Sequence, residues 1–394
     1  MLRLPRRQRR AAARRRPAKR TVSPDREGRA RLEALGTSVA TALTTSDLAA
    51  AAKPWDLDGL WDRVVEGLTI SAQVNRDAKQ GYVSSLQSSG GFPVRELVGA
   101  TVDFRAVRED PDQGALLLLR ALLPDQSLVY VECLVDDGNA AEPRLIDVYS
   151  YANGEFLSRT ARRLVAPSLA EASRTPLARL VGGTSDAGKT LETLNRVIAQ
   201  LQGGDLDGAW ATLEALPAAE RQTKSVLLLR LRVAVARYEP LTEPPAHEEE
   251  YRQVLSEIKR VLSTDPRAQL VLLDHYLLEQ DWAGFHQSLE TLGQAVGEDA
   301  YLDYLHALGY SRAGEHERAL EAAFAALAAE PLEAIRLGIL DLYVNAEEYE
   351  LAASYLEQLE DDYGYTFDFS GLPGMQPFLE SEPGRAWLTR ERGE

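Results

Sequence analysis

The chain is short of cysteine: Cys133 is the only one among 394 residues. A single cysteine cannot form an internal disulfide or a multi-cysteine zinc site. No two of the five histidines stand four residues apart, the spacing at which one helix face binds a metal ion. No apolar run approaches the roughly 20 residues that span a bilayer. We therefore expect no metal, no other cofactor and no transmembrane segment, and we expect a cytoplasmic protein.

The net charge of −16 conceals two regions of opposite sign. Residues 1–30 hold eleven Arg and Lys19 against Asp25 and Glu27, a net charge of +10, so the rest of the chain carries −26. An acidic body repels nucleic acid, so we expect no specific nucleic-acid partner, although the basic tail could make weak non-specific contacts. The tail has no apolar periodicity, and we predict that residues 1–30 are disordered.

Three interpretations of this tail stay open. It could be an arm that binds nucleic acid or a membrane surface, or a transit peptide. It could equally be a dispensable leader, or sequence translated upstream of a true start near Val22. It does not look like a secretory signal, because no apolar core follows its charges.

Residues 31–166 predict an α+β domain. A helical stripe in "DLDGLWDRVVEGL" is formed by Leu57, Leu60, Trp61, Val64 and Leu68, with Asp56 or Asp58 as the cap. A second helix is predicted over residues 72–86. Four runs with strand patterns then follow, "ATVDFRAV", "ALLLLRALL", "SLVYVECLV" and "RLIDVYSYA", and short turns join them. We expect a four-stranded antiparallel meander with helices on one face, loosely similar to cystatin-like or NTF2-like folds.

This sheet could also carry a small-molecule or enzymatic site. Asp147, Tyr149 and Tyr151 share one face of the last predicted strand, and Asp103 and Arg105 share one face of the first. The alternative, which we favour, is that these polar side chains form the solvated face of a half-covered sheet.

The second half of the chain is helical and repeats. Trp282, His316 and Tyr349 are 34 and 33 residues apart, and Phe285, Ala319 and Ala352 keep the same spacing. Trp282, His316 and Tyr349 each follow a small or polar turn and an acidic residue. This period is typical of solenoids built from helix pairs. We count four to five units over 185–362, joined to the first domain by a linker at 167–184.

The clearest unit, residues 301–331, resembles the tetratricopeptide repeat (TPR) family. It has small, aromatic, turn and terminating residues where the family places them, at Ala307, Tyr310, Gly314, Ala319, Ala323, Ala326 and Pro331. Phe285 departs from the pattern, because it occupies a position where the family has a small residue. The resemblance covers the C-terminal half only. Residues 363–394 then look like a segment that caps the open end of the last helix pair.

The resemblance implies a concave surface made by the first helix of each pair, which binds an extended peptide or a helix. The side chains expected there are Arg267, Asp274, Tyr304, Arg312, Asp341 and Asn345. We accordingly expect a non-catalytic protein–protein interaction scaffold, not an enzyme. The partner and the oligomeric state stay open.

A rival hypothesis starts from "GTSDAGKT", residues 183–190, which matches the phosphate-binding loop G-x-x-x-x-G-K-T. Such a loop needs a buried strand before it, whereas "EASRTPLARLV" contains a proline and two arginines. The partner pattern "LVLLD" at 270–274 falls within a predicted first helix. We therefore prefer a linker and a helix start here, with ATP or GTP binding as the alternative.

Overall fold

A computed structural model describes two long stretches of the chain. They are residues 26–173 and 193–391, apart from 89–91, 125, 137–141, 153, 195, 202, 240–241, 243 and 370–371. Residues 1–25 of the predicted tail, residues 174–184 of the predicted linker and the phosphate-loop pattern at 183–190 lie outside the described residues.

The N-terminal region begins with four helices, α1 Arg26–Thr44, α2 Leu48–Ala52, α3 Leu57–Val65 and α4 Ala72–Ser88. Helix α1 thus starts inside the predicted tail, where Arg31 pairs with Glu27 and Arg29 with Glu33, each one helical turn apart. Three residues of the predicted stripe, Leu60, Trp61 and Val64, are buried in α3, whereas Leu68 lies beyond the end of this helix at Val65. Asp56 caps α3 by accepting the Gly59 N–H.

The antiparallel sheet has strands β1 Thr101–Asp110, β2 Gly114–Leu122, β3 Leu128–Asp136, β4 Arg144–Ser150 and β5 Glu155–Phe156. They pair in the order β1-β2-β3-β4-β5, which confirms the meander and adds one short strand to the four that were predicted. Helix α5, Leu157–Ser173, follows directly. It continues into the segment predicted as a linker because Leu169 packs with Trp61 and Val64 of α3.

The remainder of the chain is helical, as the repeat predicted. The helices are α6 Leu206–Glu214, α7 Ala218–Arg221, α8 Lys224–Arg237, α9 Glu248–Leu262, α10 Gln269–Leu278, α11 Trp282–Val296, α12 Ala300–Arg312, α13 His316–Ala329, α14 Glu333–Asn345, α15 Tyr349–Tyr363, α16 Gln376–Glu380 and α17 Glu382–Glu391. Four successive pairs are α8–α9, α10–α11, α12–α13 and α14–α15. Helical residues 196–201 precede α6 in the same way. The fold is therefore an α+β region followed by a helical solenoid.

The repeat is visible in the backbone as well as in the sequence. A residue with left-handed φ stands two positions before the second helix of a pair, at Gly204, Gln280, Gly314 and Glu347. Trp282, His316 and Tyr349 are the first residues of α11, α13 and α15. Phe285, Ala319 and Ala352 are buried where the paired helices cross. The predicted period thus corresponds to one turn and one helix start per unit.

The last helix pair is covered by the end of the chain. Phe378 and Trp387, from α16 and α17, are buried against the cluster that contains Leu356 and Leu359 of α15. The Trp387 indole N–H donates to Glu360 Oε1 at 3.0 Å. The apolar end of the solenoid is thereby closed by residues of the same chain.

Both faces of the sheet are buried, which differs from the expected half-covered sheet. One face packs on α1 through Leu117, Leu119 and Cys133. The other packs on the solenoid, where Leu118 and Tyr130 join the cluster of α10–α12 residues Leu273, Phe285, Leu289, Leu292 and Leu302. All nine residues of β2 are buried. Its continuous apolar sequence suits a strand that is covered on both sides.

Candidate functional site

Arg120 of β2 joins the sheet to the solenoid. Its guanidinium donates to Asp299 Oδ1 at 2.7 Å, to Asp103 Oδ2 at 2.6 Å and to Glu330 Oε1 at 2.5 Å. Asp299 precedes α12 and Glu330 follows α13, so one buried cation holds both ends of that helix pair. Hydrogen bonding to Arg120 lowers the pKa of the Glu330 carboxyl group. Asp103, predicted on a solvated face, therefore lies at an internal interface.

Tyr130 and Arg105 complete this charged contact. The Tyr130 hydroxyl donates to Asp299 Oδ2 at 2.6 Å. Burial raises the pKa of the Tyr130 phenol, and the Asp299 carboxylate raises it further. Arg105 Nη2 donates to the carbonyl oxygen of Glu298 at 2.7 Å. Each charged group of this contact faces an opposite charge or a hydrogen-bond partner, as buried charges require.

A second charged contact lies further along the same face. Arg267, just before α10, approaches Glu132 Oε2 at 2.7 Å and stacks on the Tyr149 ring, 4.5 Å from its centroid. The Tyr151 hydroxyl donates to Glu132 Oε1 at 3.0 Å. Burial raises the pKa of Glu132, and Arg267 opposes that rise. The tyrosines predicted on a solvated strand face are thus buried between the sheet and the solenoid.

A cavity of about 500 Å³ lies between the sheet region and the first helix pairs. Its walls come from β3, β4, α5, residues 194 and 198, and α8. Apolar side chains predominate, among them Val131, Val148, Ile198, Leu228 and Val235. Ligand pockets typically enclose about 300–1,000 Å³ and have this composition. No motif in the sequence indicates this cavity, because its walls come from segments far apart in the chain.

Of the six predicted partner-binding residues, the structure leaves four exposed, while the other two are held by neighbouring parts of the protein. Arg267 is held by the sheet, and Tyr304 is buried against Gly338 of the next helix pair. Asp274 is exposed and accepts a hydrogen bond from the Tyr251 hydroxyl. Arg312, at the C-terminal end of α12, is exposed, and so are Asp341 and Asn345 of α14.

Arg312, Asp341 and Asn345 belong to what we call the open first-helix surface, the exposed side chains of α12 and α14. Asp341 is accessible, yet loss of hydration raises the pKa of its carboxyl group, and Arg312 of the preceding pair opposes the rise. Loss of hydration also raises the pKa of Asp303 on α12.

Two histidines meet between α11 and α12. The Nδ1 atoms of His286 and His306 are 2.7 Å apart and the rings stack, so one neutral ring donates to the other. Burial lowers the pKa of both imidazoles. His286 thus pairs with His306. Within the described residues, no group of three or more His, Cys, Asp or Glu side chains could hold a metal ion.

Two other sequence expectations concern chemistry and membranes. The pattern at 270–274 lies in helix α10, as predicted, while the loop pattern at 183–190 is outside the described residues. Across the part of the chain that the structure describes, no helix has the length and apolar character of a membrane span.

The fold and these surfaces define a helical-repeat protein whose α+β region packs on its own solenoid. Comparison with known proteins adds little to that class. No family model matches the chain, and no curated protein matches it. A solved structure of MamA AMB-1 is similar at 16% sequence identity and a TM-score of 0.33, covering 48% of this chain and 100% of that chain.

Proposed function

We propose that this protein is a non-catalytic interaction scaffold that binds a peptide or helix of a partner protein on the open first-helix surface. The observation that supports this is the set of polar side chains that the successive first helices α12 and α14 leave accessible. Arg312 and Asp341 come from neighbouring pairs and attract each other, and Asn345 ends α14. Solenoid proteins of this architecture use such surfaces for binding.

The sheet determines which part of the solenoid is available. It occupies Arg267 and the turns before α12 and after α13. The partner surface is therefore the open first-helix surface of α12 and α14, and we leave Arg267, Asp274 and Tyr304 out of it. A surface with charges of both signs favours a partner segment that carries both a basic and an acidic side chain.

The test is a selection of displayed random peptides against the full chain, followed by affinity measurements. Peptides that bind the proposed surface should bind Arg312→Ala and Asp341→Ala about tenfold more weakly or worse, because each substitution removes a charge from that surface. Arg260→Ala and Asp361→Ala are matched controls, since both residues are exposed on second helices. Selected peptides that bind all four variants equally would refute the proposed surface, and so would a selection that enriches none.

A further inference from the structure

The cavity between the sheet region and the first helix pairs does not belong to the open first-helix surface. Its apolar wall includes Leu228 and Leu231 of α8, and Val148 of β4. Within this open space of about 500 Å³ the apolar walls face water, and an apolar occupant would remove that surface from water. This makes an apolar occupant energetically favourable.

The mouth of the cavity is marked by exposed residues of both regions. Val235 of α8 lines the cavity and is 50% exposed, and the adjacent Arg232 and Glu96 are exposed as well. A small molecule could enter there without separating the sheet from the solenoid. A half-exposed valine over an apolar space is also a surface that water solvates poorly.

The polar lining favours a negative head group. Glu155 is already satisfied, since Thr160 donates to it at 2.5 Å and Arg163 pairs with it. Among the described residues, Arg232 forms no ion pair within 4 Å, although Glu96 lies near enough to interact electrostatically. The remaining positive charge at the mouth is therefore that of Arg232.

We propose that this cavity binds a small amphipathic molecule, with its apolar chain between β4 and α8 and its anionic head at Arg232. The ligand would touch both the α+β region and the first helix pairs. It would therefore stabilise their contact, because it binds only when both walls are in place.

The probe is dodecanoate, titrated into the full chain at neutral pH and followed by calorimetry. We expect saturable binding with one site per chain. Dodecylammonium has the same chain and the opposite charge, and should bind at least about tenfold more weakly because Arg232 repels it. Absence of saturable dodecanoate binding would overturn the proposal, and equal affinity for the two amphiphiles would overturn the anionic head group.

Two variants locate the site. Val235→Trp should abolish binding by filling the mouth, and Arg232→Gln should weaken dodecanoate binding about tenfold. The matched controls are Val261→Trp, at a valine that is 41% exposed on α9, and Arg260→Gln beside it. Because Val235 and Arg232 are exposed, both variants should fold, which circular dichroism checks. Wild-type affinity in both cavity variants would place dodecanoate elsewhere and refute the site.

Discussion

The helix pairs α12–α13 and α14–α15 have similar repeat sequences, yet their ends are covered in different ways. The pair α12–α13 is held by Arg120, which is 179 residues from Asp299 and 210 from Glu330 in the sequence. The last pair is covered by Trp387 and Arg390, which lie 27 and 30 residues from Glu360. One cover thus couples distant parts of the chain, while the other is local. A destabilising substitution in α12–α13 should therefore also loosen the sheet, whereas one in α14–α15 should loosen only neighbouring segments.

The largest effect is expected from replacing Arg120, which links the sheet to both ends of the pair α12–α13. Arg120→Met removes the nearer of the two cations beside the buried Asp299 carboxylate and leaves Arg105 at 4.0 Å, and breaking such a buried pair typically costs about 3–5 kcal/mol. The measurement is the free energy of unfolding from urea denaturation. Arg260→Met, at an exposed arginine, is the control and should change that free energy by about 0.5 kcal/mol at most.

Hydrogen exchange on the Arg120→Met variant then shows how far the damage spreads. Protection should fall both in the sheet and in α12–α13, because the same side chain holds them. A loss of less than about 1 kcal/mol, or a loss confined to β2, would show that the two regions are not coupled through Arg120.

A smaller effect is expected where paired helices cross. Ala319→Leu and Ala352→Leu should each overpack a buried contact and cost roughly 1–3 kcal/mol. In Ala319→Leu, hydrogen exchange should loosen α12–α13 and also the solenoid-facing strands, because Asp299 and Glu330 flank that pair. In Ala352→Leu, the sheet should keep its wild-type protection. Equal loosening of the sheet by both substitutions would show that α12–α13 and α14–α15 do not differ in their coupling to the sheet.

The smallest effect is expected from pH. Burial lowers the pKa of His286 and His306 in the folded protein, so the unfolded chain binds protons first as pH falls below about 6.5. The free energy of unfolding should therefore decrease on acidification through this window, and His275 contributes in the same direction. This loss should affect the pairs near the sheet, not α14–α15.

Urea denaturation at about pH 7 and about pH 5.5 measures this difference. The double variant His286→Asn, His306→Asn should show a smaller decrease than the wild-type protein. His247→Asn is the control, because that histidine lies at the exposed start of α9. An unchanged pH dependence in the double variant would contradict the role of the pair.

The repeat shows which structural features can be predicted from the local sequence. Trp282, His316 and Tyr349 were identified by spacing alone, and each begins a helix. The alternation of β1 and the turns after it likewise predicted the meander. Both predictions succeeded because neighbouring residues dictate helix starts, turns and strand periodicity. The continuous apolar run of β2 is also a local signal that both faces are covered, and the expectation of a half-covered sheet overlooked it.

The candidate sites depended on contacts that no local pattern contains. Arg267 and Arg312 were both predicted on the partner-binding surface, but the sheet contacts the first and leaves the second exposed. The cavity at Val235 likewise needs walls from both halves of the chain. The sequence by itself determined the α+β region, the helix pairs and their period, since these follow from propensity and spacing. Only the tertiary structure decided which solenoid surfaces stay open, because burial depends on what distant segments bring together.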